Sequence, residues 1–315
     1  MASVSLPKQR KARTSSKVWD RAGNIGVLIM GSIVVLIVAT IFIFVGSQAF
    51  QTFTVDHISP GTFFFSKDWL YSQGTLVLTA GSISLVLLGL LIAVPLSVGI
   101  AFFITELAPP WLGRILRSIV ELFLGIPSII FGLLGVAIVI PLVKNLINSV
   151  AGDKYFTTGD GIFAAAFIVA FMVLPTITTI SVDSIAAIPR ELREGSLALG
   201  ATRWQTILKT LLPASLSGIM TGVILGAARI IGETIAVALV IGGSPQIFGI
   251  DHLKNGQLFI GTTSVMTTQI FHDFPNQATS GPILDSLWTL SFLLLSISAV
   301  LVFVSRAITS RSVYK

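Results

Sequence analysis

The sequence predicts an all-α polytopic membrane protein with six transmembrane helices, and three observations carry that prediction. Hydrophobic residues make up 53% of the 315 residues, charged residues only 11%, and the mean hydropathy is +0.91. A soluble domain carries about a quarter charged residues. Six segments, roughly 25–47, 75–104, 117–142, 161–181, 215–242 and 284–307, meet or approach the ~20 mostly apolar residues that a span needs. Lipid cannot hydrogen-bond backbone amides, so each span is expected as helix rather than strand. The cations, finally, are placed asymmetrically.

With the N-terminus inside, 15 of the 20 lysines and arginines fall in cytoplasmic segments: Lys8, Arg10, Lys11, Arg13, Lys17, Arg21, Arg114, Arg117, Arg190, Arg193, Arg203, Lys209, Arg306, Arg311 and Lys315. The outer loops hold Lys67, Lys144, Lys154 and Lys254, and Arg229 is left inside a span. This bias orients the chain with both termini cytoplasmic. It also explains the net charge of +6 as a topology signal in short loops, not a nucleic-acid surface. The absence of cysteine excludes a disulfide framework and any Cys-based metal, haem or redox site.

In order, residues 1–24 form a basic cytoplasmic N-terminus, and 25–74 hold the first span and an outer segment. The apolar run from Gly26 to Gly46 exceeds the ~7–15 residues of a signal-peptide core, which favours an uncleaved span. Residues 48–74 are rich in aromatics (Phe63, Phe64, Phe65, Trp69, Tyr71) and are expected as a hairpin at the membrane interface. Residues 75–307 form the main transmembrane domain, and 308–315 a cytoplasmic tail. Pro95, Pro127 and Pro175 predict kinks in the second, third and fourth spans, with Gly125 and Gly132 permitting close helix contact. The last outer segment, 243–283, reads as a solvated loop; His252 and His272 are too far apart in sequence to suggest a metal site. No internal repeat supports an inverted-repeat transporter.

Residues 182–214 are too polar to span and too patterned for disorder. A helix is expected to start at Pro189, where a missing N–H costs nothing. Glu191 and Glu194 suit its positive end, and Gly200 its C-terminal cap. Thr202 can cap a second helix. There Trp204, Ile207, Leu208, Leu211 and Leu212 make one apolar face, with Pro213 marking the turn into the fifth span. By periodicity alone the better reading is an amphipathic helix resting on the membrane.

Arg229, Glu233 and Glu121 are the costly charges of the predicted spans. Arg229 and Glu233, four apart, would share a helix face and could pair; Glu121 sits in the third span. A charge at a span centre costs ~2.5–3.5 kcal/mol, so such groups face protein or a water-filled path. Either they neutralise one another and hold helices in register, or Arg229 faces an anion path that Glu233 and Glu121 shape. A guanidinium stays charged and binds an oxyanion through two N–H groups, which suits the second reading.

The stretch EGSLALGATRWQTILKTLLP, 194–213, resembles the EAA loop of ABC-importer permeases: Glu-Ala-Ala, three residues, Gly, nine residues, Ile, one residue, Leu-Pro. Glu194, Gly200, Leu212 and Pro213 are in register, while Gly195, Ser196 and Thr210 depart from it. The resemblance implies a type I importer permease fold whose cytoplasmic coupling-helix loop (Glu194, Ala198, Gly200, Arg203, Leu212 and Pro213) seats on a nucleotide-binding subunit. The chain has no GxxxxGK[ST] phosphate loop, so it is expected to be no enzyme itself; ATP and Mg would belong to a partner ATPase. The stretches TELAP (105–109), ELFLGIPSIIFG (121–132) and RIIGETIAV (229–237) further resemble phosphate-uptake permeases of the PstC type. That likeness implies a bacterial inner-membrane location and a homologous PstA-like permease as partner. It also implies two PstB-like ATPase subunits, a PstS-like binding protein, and phosphate passage near Arg229 and Glu233. No catalytic or metal-ligating set emerges from the residues. Alternatives are a permease for sulfate, molybdate or another oxyanion, and a proton-coupled secondary transporter relaying through Glu121 and Glu233.

Overall fold

The computed structural model describes residues 13–151, 158–243, 262–276 and 281–310. The cations up to Lys11, the tail beyond Ser310, and Lys154, His252 and Lys254 lie outside them. The described residues are helical but for loops and one isolated bridge, Gly242 to Thr263. Six stretches are long and apolar enough to cross a membrane: Gly23–Thr54, Leu76–Leu107, Ser128–Ser149, Ile162–Ala186, Arg203–Gly232 and Pro282–Ile308.

The first of these belongs to α1 (Arg13–Ala49). It stands at the edge, with Val27 to Ile43 exposed on nearly every side. Its C-terminal end packs on the last helix, α15 (Pro282–Ser310), through Phe42 and Phe44 set edge-on to Phe292 and Trp288. There Thr289 Oγ1 meets Thr52 Oγ1 at 2.7 Å and donates to the Ala49 carbonyl.

The aromatic outer segment is not a hairpin. It folds into three short helices, α2 (Gln51–Thr54), α3 (Pro60–Phe65) and α4 (Trp69–Ser72). Ser59 caps α3 by accepting from the Thr62 amide, and Pro60 supplies the first-turn proline. Phe63 and Trp69 point inward, and Trp69 joins Leu78, Met266, Leu287 and Leu290 in a cluster at this end of the bundle. For these two rings burial outweighs the interfacial preference that the pattern suggested, whereas Phe64, Phe65 and Tyr71 are exposed.

The second span is α5 (Leu76–Phe102), running into a π-helical turn, Phe103–Leu107. An amphipathic helix follows, α6 (Pro110–Leu124), and then α7 (Ser128–Leu134), a second π turn and α8 (Ile140–Ala151). The third span therefore begins at Ser128, not near 117. Pro127 disfavours helical backbone at Ile126, and the chain breaks across 125–127. Arg117 and Glu121 thus ride on α6, outside the membrane-crossing segment.

α9 (Ile162–Ala186) is the enclosed centre. Ala164, Ala165, Ala166, Val169, Val173 and Ile177 are buried around it, as expected of a helix apolar on all faces. It packs against α5 and against α12 (Leu212–Gly232), and the three share one core with α13 (Ile235–Val240). Small residues set these distances: a Cβ at Gly89 would press Val169 and Ile230, and one at Gly132 would lie 2.9 Å from the Ala236 Cα. Because backbone cannot yield cheaply, Gly132→Val should destabilise the α7–α13 contact by ~1–3 kcal/mol. The apparent Tm of the detergent-solubilised protein should fall on the order of 2–12 °C; an unchanged melting curve would contradict this packing.

The described part of the final outer segment departs from a solvated loop. Residues 262–265 and α14 (Met266–Asp273) insert into the bundle, with Ser264, Val265, Met266 and Thr268 almost fully buried. The Met266 amide donates to Ser82 Oγ, and Thr263 exchanges backbone bonds with Ile241 and Gly243. Trp69 Nε1 and Gln269 Nε2 both donate to Asp273 Oδ2. His272 is exposed, as expected.

Candidate functional site

The loop between the fourth and fifth spans projects as α10 (Arg190–Ala198), a reversal, and α11 (Arg203–Thr206). Pro189 is the residue before the first helical turn and Glu191 lies in that turn, as the pattern required. Gly200 adopts φ +82°, a left-handed conformation that costs an L-residue ~1–2 kcal/mol, and a Cβ there would meet nothing within 4 Å. Thr202 and Gln205 form a reciprocal cap: Thr202 Oγ1 accepts from the Gln205 amide, and Gln205 Oε1 from the Thr202 amide.

Beyond α11 the expected turn at Pro213 is absent. A π turn, Ile207–Leu211, leads directly into α12, and Pro213 occupies the first turn of that helix. The shifted hydrogen-bond register of a π turn accommodates a residue without an N–H. Of the expected apolar face, Ile207 and Leu211 are buried, whereas Trp204 is 62% and Leu208 45% exposed. Glu194, Ala198, Gly200 and Arg203 are exposed around the reversal. Leu212 is half-buried and Pro213 exposed, but both start α12 and not the tip. The sequence reading passed over Leu199, which is 91% exposed at the apex. An apolar side chain so unprotected on a folded turn was hidden by its place between helix periodicities.

Inside the membrane, α12 ends at Gly232, and Glu233 has extended backbone (φ −75°, ψ 126°). The four-residue spacing therefore does not place Arg229 and Glu233 on a common helix face, and no ion pair joins them among the described residues. Glu233 Oε1 instead accepts from the Ala236 amide at the start of α13, and its carbonyl accepts from Thr267 Oγ1 at 2.9 Å. Arg229 is half-buried in the last turn of α12, where a cation complements the helix dipole. Its Nη1 donates to Thr176 Oγ1 at 3.3 Å. That neutral hydroxyl, next to Pro175 in α9, is a partner 53 residues away that local spacing does not reveal. Gly232 beside it is exposed and borders open space.

Glu121 lies elsewhere. It accepts from Arg117 Nε at 3.0 Å, and Arg117 Nη2 donates to Asp183 at 2.9 Å. The Arg117 pKa is raised above its ordinary value, first by the hydrogen bond to Glu121 and, against some desolvation, by Asp183. Asp183 is seven residues along α9 from Thr176, roughly 10 Å of helix. The structure thus separates Glu121 from the Arg229–Glu233 region.

Comparison with known proteins agrees with this architecture. A family model for the binding-protein-dependent transport system inner membrane component matches residues 93–313. The chain belongs to that family. It is 35% identical over 305 residues to a probable ABC transporter permease protein, YqgH, of Bacillus subtilis, covering 95% of this chain and 94% of the relative. It is 34% identical to the phosphate transport system permease protein PstC of Pasteurella multocida, covering 87% and 85%. Among solved structures, a bacterial alginate ABC transporter in complex with its alginate-bound periplasmic protein superposes with TM-score 0.57 at 17% identity, over 95% of this chain and 98% of that one. That likeness concerns the fold. The chain is the permease subunit of an ABC importer, a multi-pass inner-membrane protein that works with an ATPase and a binding protein.

Proposed function

We propose that this permease forms one half of the passage through which an ATP-driven importer brings inorganic phosphate into the cytoplasm. The observation that carries this reading is Arg229: a half-buried guanidinium within a span, held by a neutral hydroxyl with no carboxylate partner among the described residues. Its unspent positive charge beside the break at Gly232 suits a transient contact with a tetrahedral oxyanion, and loose holding suits release. The PstC relatives, 31–34% identical over most of the chain, support phosphate as that oxyanion.

In this reading both termini and the α10–α11 loop are cytoplasmic, and the aromatic segment and α14 face outward. The passage is completed by a PstA-like permease, fed by a PstS-like binding protein and driven by two PstB-like subunits that bind ATP and Mg. Glu233 shapes the path at the helix break, and Glu121 belongs to its cytoplasmic mouth beside Arg117 and Asp183.

Uptake of labelled phosphate, with and without the chain and before and after ATP depletion, tests the proposal, with sulfate and molybdate as competitors. Uptake should require both the chain and ATP and resist the competitors. Transport of a competitor instead would overturn the substrate; uptake that survives ATP depletion but fails with the proton gradient would overturn the drive.

A further inference from the structure

One guanidinium ties three elements together at the loop end of the bundle. Arg193, in the second turn of α10, donates from Nε to Glu106 Oε1 at 3.0 Å. Its Nη1 donates to the Ile188 carbonyl at 2.6 Å and its Nη2 to the Ile185 carbonyl at 2.8 Å. Ile185 lies in the last turn of α9 and Ile188 just past its C-terminal cap, a place where a cation is favoured. Glu106 lies in the π turn that ends the second span. Both side chains are largely enclosed, 21% and 16% exposed, in contrast to the open Arg117–Glu121 pair.

The connectivity gives this contact a consequence. The loop is covalently continuous with α9 before it and with α12 after it, so any displacement of α10 reaches those spans along the chain. The second span has no such link to the loop. It meets it through Arg193 and through a shared apolar cluster that holds Ala101 and Phe102 together with Ile188 and Ile207. Apolar contacts can slide, whereas a bidentate-capable fork holding three acceptors fixes both distance and direction. At its other reach, α5 presents Gly89 to Ile230, the neighbour of Arg229. Seventeen residues of helix, roughly 25 Å, separate Gly89 from Glu106.

We propose that the Arg193–Glu106 contact is the latch that makes the second span follow the coupling helix, so that ATP-driven motion of the loop reaches the helix packing beside Arg229. Arg193 and Glu106 are positioning residues in this scheme. The inference rests on the importer reading but not on which anion is carried.

The test uses the whole complex, both permeases, ATPase and binding protein, in proteoliposomes, reading anion uptake per ATP hydrolysed. Glu106→Gln keeps the shape of the side chain and removes its charge; Arg193→Lys keeps the charge and removes the fork. Each should lower uptake per ATP roughly tenfold, the change expected when a charge-assisted bond becomes a weaker one, with normal ATPase co-purification. A merely structural contact would reduce complex yield, uptake and hydrolysis together and leave the ratio unchanged, which would overturn the proposal. Because the chain has no cysteine, Glu106→Cys combined with Arg193→Cys offers a second route. That variant should be uncoupled until a short bifunctional thiol reagent joins the two positions and restores the ratio; no restoration would also overturn the latch. Wild-type complex that carries sulfate and not phosphate would refute the substrate alone, since the ratio is then read with sulfate.

Discussion

Arg229→Ala should reduce labelled-phosphate uptake by about 10- to 100-fold while the permease still reaches the membrane and co-purifies with its ATPase. The magnitude follows from removing a charged hydrogen-bond donor, worth ~1.5–3 kcal/mol, from a path where the anion has shed part of its water. Assembly should survive because, among the described residues, Arg229 is held by a single 3.3 Å bond to Thr176 and no carboxylate is left unpaired by its loss. Had the residue been locked to Glu233, truncation would have stranded a buried charge and damaged folding. Arg229→Lys should retain part of the activity, since it keeps the charge but loses the planar fork. Thr176→Val, which removes the one hydroxyl on the guanidinium, should change uptake far less. Full uptake by the alanine variant would remove Arg229 from the path. Loss of the protein from the membrane would assign it a structural role.

The spans, the projecting loop and its caps were legible in the sequence because each follows from a local rule. Apolar length marked the spans, and Gly200 and Thr202 marked a reversal that the structure realises at φ +82° and with a reciprocal cap. What escaped the reading were interruptions. Apolar length carried helix through residues 117–142 and 215–242, yet the chain breaks at 125–127 and again at 233–234. At the first, the steric demand of Pro127 on Ile126 outweighs continuous hydrophobicity. At the second there is no proline; Glu233 turns out of the helix and is held by the Ala236 amide and Thr267, the latter 34 residues away. A tertiary contact at that separation leaves no local trace. The same holds for Arg193 and Glu106, 87 residues apart and brought together only by the packing of α5 against α9. The burial of α14 was missed for a different reason. Its polar side chains read as solvent-facing, but inside the bundle Thr267 and Thr268 bond backbone groups and Gln269 donates to Asp273.

Leu199→Asp should lower ATPase co-purification at least tenfold and abolish ATP-driven uptake, without altering the amount of permease in the membrane. At 91% exposure the side chain contributes almost nothing to the fold of this subunit, so its replacement should leave stability nearly untouched. Burying a leucine is worth ~1.5–3 kcal/mol, and placing a carboxylate in the same contact adds a desolvation cost, which together exceed the ~1.4 kcal/mol of a tenfold change. Gly200 tests the other half of the tip. Gly200→Val meets no steric obstacle, because nothing lies within 4 Å, so its effect is purely the strain of φ +82° on a β-branched residue. The reversal should then open and swing Leu199 and Trp204 out of register, giving partial loss of coupling. Gly200→Asn, which tolerates the left-handed conformation, should keep most of it. That ordering, asparagine above valine, separates a requirement for backbone shape from one for an empty surface. If both variants fail equally, the partner ATPase needs the bare glycine itself. If neither fails and Leu199→Asp still binds, the ATPase does not rest on this turn, and the exposed Trp204 and Leu208 become the surface to test next.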